Sequence, residues 1–277
     1  MCGLFGFSGK FPADEGKLRF LAYLNEDRGA HSTGIFSVSL DKKKTETLYK
    51  KQLKASEFIT TPGFYEAVRG CGTIIGHTRQ ATVGAINEEN AHPFVYGDVV
   101  GAHNGFVLQD LADEFIGDDK LFKKPFEVDS QLIFALLDHY KGDYNVLSKL
   151  EGAITTSFIV HNKYPNAIHL YRRLPRELHI GYSKEGIYYS SASNPLKLIG
   201  CTNILEILDS YMFILTEGEI LDMKQLALPK IKSLSLNTSR TNWDWGVPQT
   251  ELDQYPQLQK KSVIKYYNDY GFSKLDK

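Results

Sequence analysis

Apolar and polar positions along the chain fall into two regimes. Up to about residue 150 the pattern switches between strand and helix, and beyond it strands follow one another. Residues 1–8 form a short apolar run broken by Gly3 and Gly6 and predict a strand. Residues 14–25 place Leu18, Leu21, Ala22 and Leu24 at helical spacing. Residues 35–40 alternate apolar residues with serine, and residues 45–51 pair with them across Asp41-Lys42-Lys43-Lys44, read as a solvated hairpin turn. Two short buried runs, 73–76 and 98–102, end in His77 and His103. Residues 129–140 give the clearest helix, with Leu132, Ile133, Leu136 and Leu137 on one side. Strands are then predicted over 153–160, 167–171, 178–182 and 187–191, a short helix over 195–199, and a last strand pair over 211–215 and 219–223. No internal repeat is evident. Runs of consecutive strands between helices predict an α+β layered domain, not a parallel βαβ sheet.

From about Pro229 the pattern changes. Residues 233–242 are rich in Ser, Thr and Asn, Trp243 and Trp245 follow, and residues 263–270 are amphipathic. The expected division is a domain over 2–225 and a C-terminal extension over 226–277, read either as a loosely packed tail or as a partner-docking segment.

Composition narrows the function classes. The 277 residues are 42% hydrophobic, enough for a substantial core, and carry 32 Lys+Arg against 33 Asp+Glu. That balance gives no global field for nucleic acid or an anionic membrane. No apolar stretch reaches the roughly 18 residues of a membrane span, and the N-terminus lacks the charged n-region of a signal peptide, so a cytoplasmic protein is expected. Three widely spaced cysteines, Cys2, Cys71 and Cys201, do not form a disulfide framework. No CxxC or HxxxH pair suggests a structural metal, and neither metal nor organic cofactor is called for.

The chemistry starts at Met1-Cys2-Gly3. Removal of Met1 is expected, which leaves Cys2 with a free α-amine. An α-amine with a pKa near 8 is partly unprotonated at neutral pH. It can take the thiol proton and later protonate a leaving amine, so one residue holds nucleophile and base. Further blocks follow in order: Cys2-Gly3-Leu4-Phe5-Gly6, Arg28-Gly29-Ala30-His31-Ser32-Thr33-Gly34-Ile35, Gly76-His77-Thr78-Arg79-Gln80-Ala81-Thr82, Ala91-His92-Pro93-Phe94, Ala102-His103-Asn104-Gly105 and Asp129-Ser130-Gln131.

These six blocks, in this order, resemble the class II glutamine amidotransferases, which are N-terminal-nucleophile hydrolases. The resemblance covers roughly residues 2–225. It implies a four-layer αββα sandwich and hydrolysis of L-glutamine through a thioester on Cys2, with no cofactor. It implies an oxyanion pair in the Asn104 side chain and the Gly105 N–H, where Asn-Gly alone would suggest a type I′ turn. Arg79 matches the arginine that grips the α-carboxylate, with Thr82 beside it. Asp129 matches the acid that pairs with the α-ammonium, and as a residue it also suits a helix N-cap. Arg28 matches an arginine that orders the nucleophile loop, and His77, His92 and His103 read as scaffold.

Some positions depart from the family. Many relatives have Asp in place of His31. The sugar-phosphate synthase branch has Trp and His where Gln80 and Val83 stand, which argues against that branch. Tyr171-Arg172-Arg173-Leu174-Pro175 and Ser190-Ser191-Ala192 match the later family strands only loosely. After residue 225 no ATP-pyrophosphatase loop, GxxxxGK[ST] loop or sugar-isomerase-sized domain follows. The expectation is a glutaminase subunit passing ammonia to a separately encoded synthase. Competing readings are an amidohydrolase for another amide or a γ-glutamyl compound, and a non-catalytic glutamine sensor or scaffold.

Overall fold

The computed structural model describes residues 2–41, 43, 45–107, 126–173 and 175–226. The extension over 227–277, with Trp243 and Trp245, lies outside the described residues.

Two antiparallel sheets form the centre. The first takes its strands in the order β11-β9-β10-β1-β4-β2-β3, with β1 Gly3–Ser8, β2 Ser32–Ser39, β3 Glu46–Lys51, β4 Cys71–Arg79, β9 His179–Ser183, β10 Gly186–Ser190 and β11 Thr202–Glu206. The second runs β13-β12-β8-β7-β6-β5, with β5 Phe94–Tyr96, β6 Val99–Val107, β7 Gly152–Val160, β8 Tyr164–Arg172, β12 Tyr211–Thr216 and β13 Glu219–Gln225.

Alternation along the strands gives each sheet two apolar faces. The facing sides make a core of Leu4, Phe36 and Ile75 from the first sheet against Val100, Ile159, Leu170 and Phe213 from the second. The outer face of the first sheet is covered by α1 Glu15–Leu24, α2 Ala55–Phe58, α3 Pro62–Val68 and α5 Ser193–Leu198, through Leu18, Leu21, Phe58, Phe64 and Leu196. The outer face of the second is covered by α4 Ser130–His139, through Leu132, Ile133, Phe134 and Leu137. The result is the expected αββα order of layers.

Local chemistry accounts for the helix starts. Asp14 accepts from the Lys17 N–H to cap α1, and Thr61 caps α3 with Pro62 as its first residue. The hairpin between β2 and β3 forms as expected, with Asp41 Oδ1 accepting from the Lys43 N–H at 2.9 Å. Its Lys42 and Lys44 are outside the described residues.

Three strands run beyond their expected ends, and α2, α3, β5 and β11 form where no element is expected. The first is β6, which does not stop at Ala102. It continues through Asn104 and Gly105, paired with Thr155 and Ile154 of β7, so Asn104-Gly105 is strand and not turn. The second is β4, which runs three residues past Gly76 to Arg79. The third is β2, which begins at Ser32, because its pairing with β4 starts at Ser32↔Arg79.

Candidate active site

Cys2 stands at the entrance to β1, a central strand paired with β4 on one side and β10 on the other. Gly3 allows that close packing. A Cβ there would lie 2.6 Å from Thr78 Oγ1 and 2.9 Å from Asn25 Oδ1. The Leu4 N–H donates to Ser191 Oγ at 2.8 Å, and the Ser191 N–H returns a bond to the Leu4 carbonyl at 2.9 Å. The loosely matched Ser190-Ser191 block thus fixes β1.

The Gln80 N–H points at Cys2 Sγ, 3.3 Å away, and Arg28 Nε donates to the Cys2 carbonyl at 3.1 Å. Arg28 therefore holds the main chain of Cys2. Burial pushes the Cys2 thiol up from its ordinary value, opposed first by the Gln80 N–H and then by the positive charges of the N-terminal ammonium, Arg79 and Arg176. At rest the thiol keeps its proton, and an attack needs a base beside it.

His31 shapes the same corner. Its backbone N–H donates to the Arg79 carbonyl, and its Nδ1 accepts from the Ala81 N–H, both at 3.0 Å. Accepting at Nδ1 puts the neutral ring's proton on Nε2. The imidazole thereby fills an acceptor role that a carboxylate could also fill.

Arg79 is only 2% exposed. Its guanidinium donates to the carbonyls of Ala85 at 2.9 Å and Val83 at 2.7 Å, so two of its five N–H groups close the loop that follows β4. Burial lowers its pKa, opposed by the charges of Cys2, Glu127 and Asp129. Thr82 is exposed in that closed loop. The loop is fastened at three further points: Ala85 N–H to Glu127 at 2.7 Å, Lys50 Nζ to the Ala91 carbonyl at 2.9 Å and Lys51 to Glu88 at 3.0 Å.

On the second sheet, Asn104 is 2% exposed and its buried Nδ2 has no hydrogen-bond partner among the described residues. An amide donor buried without a partner costs about 1–3 kcal/mol, and such donors mark sites where a ligand completes the bonding. Gly105 has φ +146°, and a Cβ on it would lie 1.8 Å from the Ala153 carbonyl oxygen. Only glycine fits.

Asp129 is the N-cap of α4, and its two oxygens accept from the Ser130 N–H at 2.9 Å and the Val107 N–H at 2.7 Å. Capping and strand-end bonding both engage this carboxylate, and each oxygen keeps a further lone pair. His103 links the two groups: its Nδ1 lies 2.8 Å from Ser130 Oγ and its Nε2 3.2 Å from the Ala153 carbonyl. His77 and His92 stack behind, with ring centroids 4.1 Å apart. Burial drives His77 down to about 3 and His92 well below its ordinary value, which keeps both neutral. These histidines are scaffold.

Cys2, Arg28, Arg79 and Asp129 thus belong to one charge cluster, and Asn104 and Gly105 join it through His103 and Ser130. Sequence reasoning missed the Gln80 N–H, the Lys50 and Lys51 fastenings and Arg176. A main-chain donor and an edge-strand lysine leave no residue-type signal, and Arg176 lies just past the loosely matched Arg172-Arg173 block.

Two solved structures share this architecture: glutamine phosphoribosylpyrophosphate amidotransferase from B. subtilis complexed with ADP and GMP (TM-score 0.63, 23% identity, 80% of this chain and 48% of that one), and a structure described as the allosteric regulatory enzyme of purine biosynthesis (TM-score 0.64, 22% identity, 80% and 48%). The fold is that of the N-terminal-nucleophile amidotransferases. Among curated proteins, glutamine–fructose-6-phosphate aminotransferases are similar in sequence. That of Zymomonas mobilis is 30% identical over 69% of this chain and 32% of its own length. That of Caulobacter vibrioides is 35% identical over 59% and 27%, and that of Lactiplantibacillus plantarum 27% over 98% and 46%. No family model matches the chain. Sequence relatives and fold together identify the chain as a member of the class II glutamine amidotransferases. It spans less than half the length of these curated relatives. Among the described residues no helix is long and apolar enough to cross a membrane.

Proposed function

We propose that residues 2–225 form a glutamine amidohydrolase unit that releases ammonia for transfer, with Cys2 as its processed N-terminal nucleophile. The observation that carries this reading is the buried Nδ2 of Asn104 beside Gly105, without a hydrogen-bond partner among the described residues and suited as a donor set in advance for an oxygen that acquires charge.

In this reading the α-amine of Cys2 takes the thiol proton and sulfur attacks the side-chain amide carbon of glutamine. The oxyanion is held by Asn104 Nδ2 and the Gly105 N–H. Collapse expels ammonia, which leaves with the proton returned by the α-amine, and a thioester remains. Water, deprotonated by the same amine, releases glutamate and restores the thiol. Arg79, with Thr82, reads the α-carboxylate through the N–H groups not engaged by Val83 and Ala85. Asp129 reads the α-ammonium. The two charges together select a free amino-acid head group over a simple amide.

The relatives' names join glutamine to a sugar-phosphate or phosphoribosyl acceptor in those proteins. For this chain the released ammonia is taken to pass to a synthase on a separate chain, with residues 226–277 the segment through which the two meet. A cytoplasmic setting accompanies the proposal, because a catalytic thiol must stay reduced.

The test is glutamate release from glutamine by purified protein, after mass spectrometry has confirmed loss of Met1, with Cys2→Ala as control. Turnover that vanishes in Cys2→Ala supports the proposal. Failure of the processed protein to hydrolyse glutamine while it cleaves another amide in a γ-glutamyl panel overturns the substrate assignment.

A further inference from the structure

Two peptide groups meet the sulfur of Cys2, and one residue holds both from behind. The Gln80 N–H donates to Sγ at 3.3 Å, and the thiol donates in turn to the Gln80 carbonyl at 3.6 Å. The far sides of the same two peptides end on His31. In the peptide that joins Arg79 to Gln80, the Arg79 carbonyl accepts from the His31 main-chain N–H at 3.0 Å. In the peptide that joins Gln80 to Ala81, the Ala81 N–H donates to His31 Nδ1 at 3.0 Å. Both peptides are trans, so C=O and N–H point in opposite directions across a flat, stiff unit. Each peptide is therefore a strut with Cys2 at one end and His31 at the other.

His31 is itself a fixed point. The next residue, Ser32, opens β2 and pairs with Arg79. Gly29 lets the preceding turn lie directly on the first strut, since a Cβ there would stand 2.5 Å from the Arg79 carbonyl carbon and 2.6 Å from the Gln80 nitrogen. The Gln80 side-chain amide lies 3.4 Å from His31 Nε2, so both ring nitrogens have a neighbour and the ring cannot turn freely. With Nδ1 engaged by the Ala81 N–H and the proton on Nε2, the imidazole has no lone pair left to act as a base toward the thiol.

We propose that His31 is a positioning residue for Cys2: its ring acceptor fixes the Gln80 peptides that bracket the sulfur. It thereby sets where the thiol points at rest and keeps the Gln80 N–H aimed at Sγ for the thiolate. The inference rests on the assignment of Cys2 as nucleophile. Only half of the arrangement depends on the side chain. The main-chain N–H of His31 survives any substitution, whereas the acceptor at Nδ1 is lost in alanine and is supplied again by the amide oxygen of asparagine.

The experiment is the pH dependence of iodoacetamide alkylation of Cys2 in the processed protein. Peptide mass spectrometry separates Cys2 from buried Cys71 and Cys201. Wild type, His31→Ala and His31→Asn are compared. Neither variant alters the N-terminal ammonium, Arg79 or Arg176, whose charges act on the thiol. A donor that bonds the ionised form favours it, so a Gln80 N–H no longer held on Sγ moves the midpoint to higher pH by about half a unit to one unit in His31→Ala. His31→Asn is expected to return it to the wild-type value. A midpoint unchanged in His31→Ala overturns the inference, as does a shift that His31→Asn fails to reverse. Should His31→Ala fail to fold, the ring tautomer of the wild-type protein decides by long-range proton–nitrogen NMR: a proton on Nε2 supports the acceptor at Nδ1, and a proton on Nδ1 overturns it. Neither readout needs glutamine, so a reversible shift in a protein unable to hydrolyse glutamine retains this inference and removes the proposed function.

Discussion

Nε2 of His77 lies 3.1 Å from the carbonyl oxygen of His103. This bond crosses from the first sheet to the second just behind the site. Two residues beyond His77 the chain reaches Arg79, and one beyond His103 it reaches Asn104. The separation between Arg79 and Asn104 is therefore set by strands, not loops.

The idle amide of Asn104 gives the first prediction. Asn104→Ala removes an Nδ2 that has no hydrogen-bond partner among the described residues, so its melting temperature should stay at or near wild type. The kcat for glutamine should fall about 100- to 1000-fold, the loss typical of one oxyanion donor. Steady-state kinetics beside a thermal melt decide it. A large fall in melting temperature with modest loss of kcat would mean that Asn104 is structural.

Arg79→Lys tests the head-group site. A lysine cannot span two loop carbonyls and a carboxylate at once. Loss of a charged hydrogen bond of about 1.5–3 kcal/mol corresponds to a rise in KM for glutamine of roughly 10- to 100-fold. An unchanged KM would place the carboxylate elsewhere.

Gly105→Ala should damage the fold. With φ +146° and the Ala153 carbonyl in the place of any Cβ, β6 and β7 must part at that point, at a cost of about 3 kcal/mol or more. A denaturant midpoint equal to that of wild type would contradict the strand geometry.

The buried histidines predict acid lability. His77 and His169 have folded pKa values pushed down by burial to about 3 and about 4, against about 6.5 in an unfolded chain. Between those values the unfolded state binds more protons, so stability rises with pH there. The contribution is complete above pH 6.5 and is lost progressively on acidification toward pH 4. Melting temperatures from pH 8 to pH 4.5 should be level at first and then decline. A level profile throughout would show that these imidazoles are not held neutral.

Much of this was legible in the residues. The helix expected over 129–140 is observed over Ser130–His139 with Asp129 as its cap, because its apolar spacing and capping residue agree. Asn104-Gly105 shows where local preference fails: an Asn-Gly pair favours a turn, but nine paired positions between β6 and β7 hold it extended. The helix α3 was missed although Thr61-Pro62 is a readable start signal; at seven residues it is too short for a clear periodicity. The three-residue β5 is shorter still. The strap that Arg172 and Arg173 make onto the carbonyls of Ile207, Leu150 and Gly152 joins positions far apart in sequence, and no spacing rule reports that.

The bond from the Leu4 N–H to Ser191 spans 187 residues. A ribosome makes β1 long before β10, so the strand behind Cys2 has one flank open until residue 190 has emerged from the exit tunnel. An unfinished chain has the Cys2 thiol but not the strand that flanks it. The surroundings of Cys2 are thereby completed only when the domain is, and a nascent chain carries the thiol without its folded neighbours.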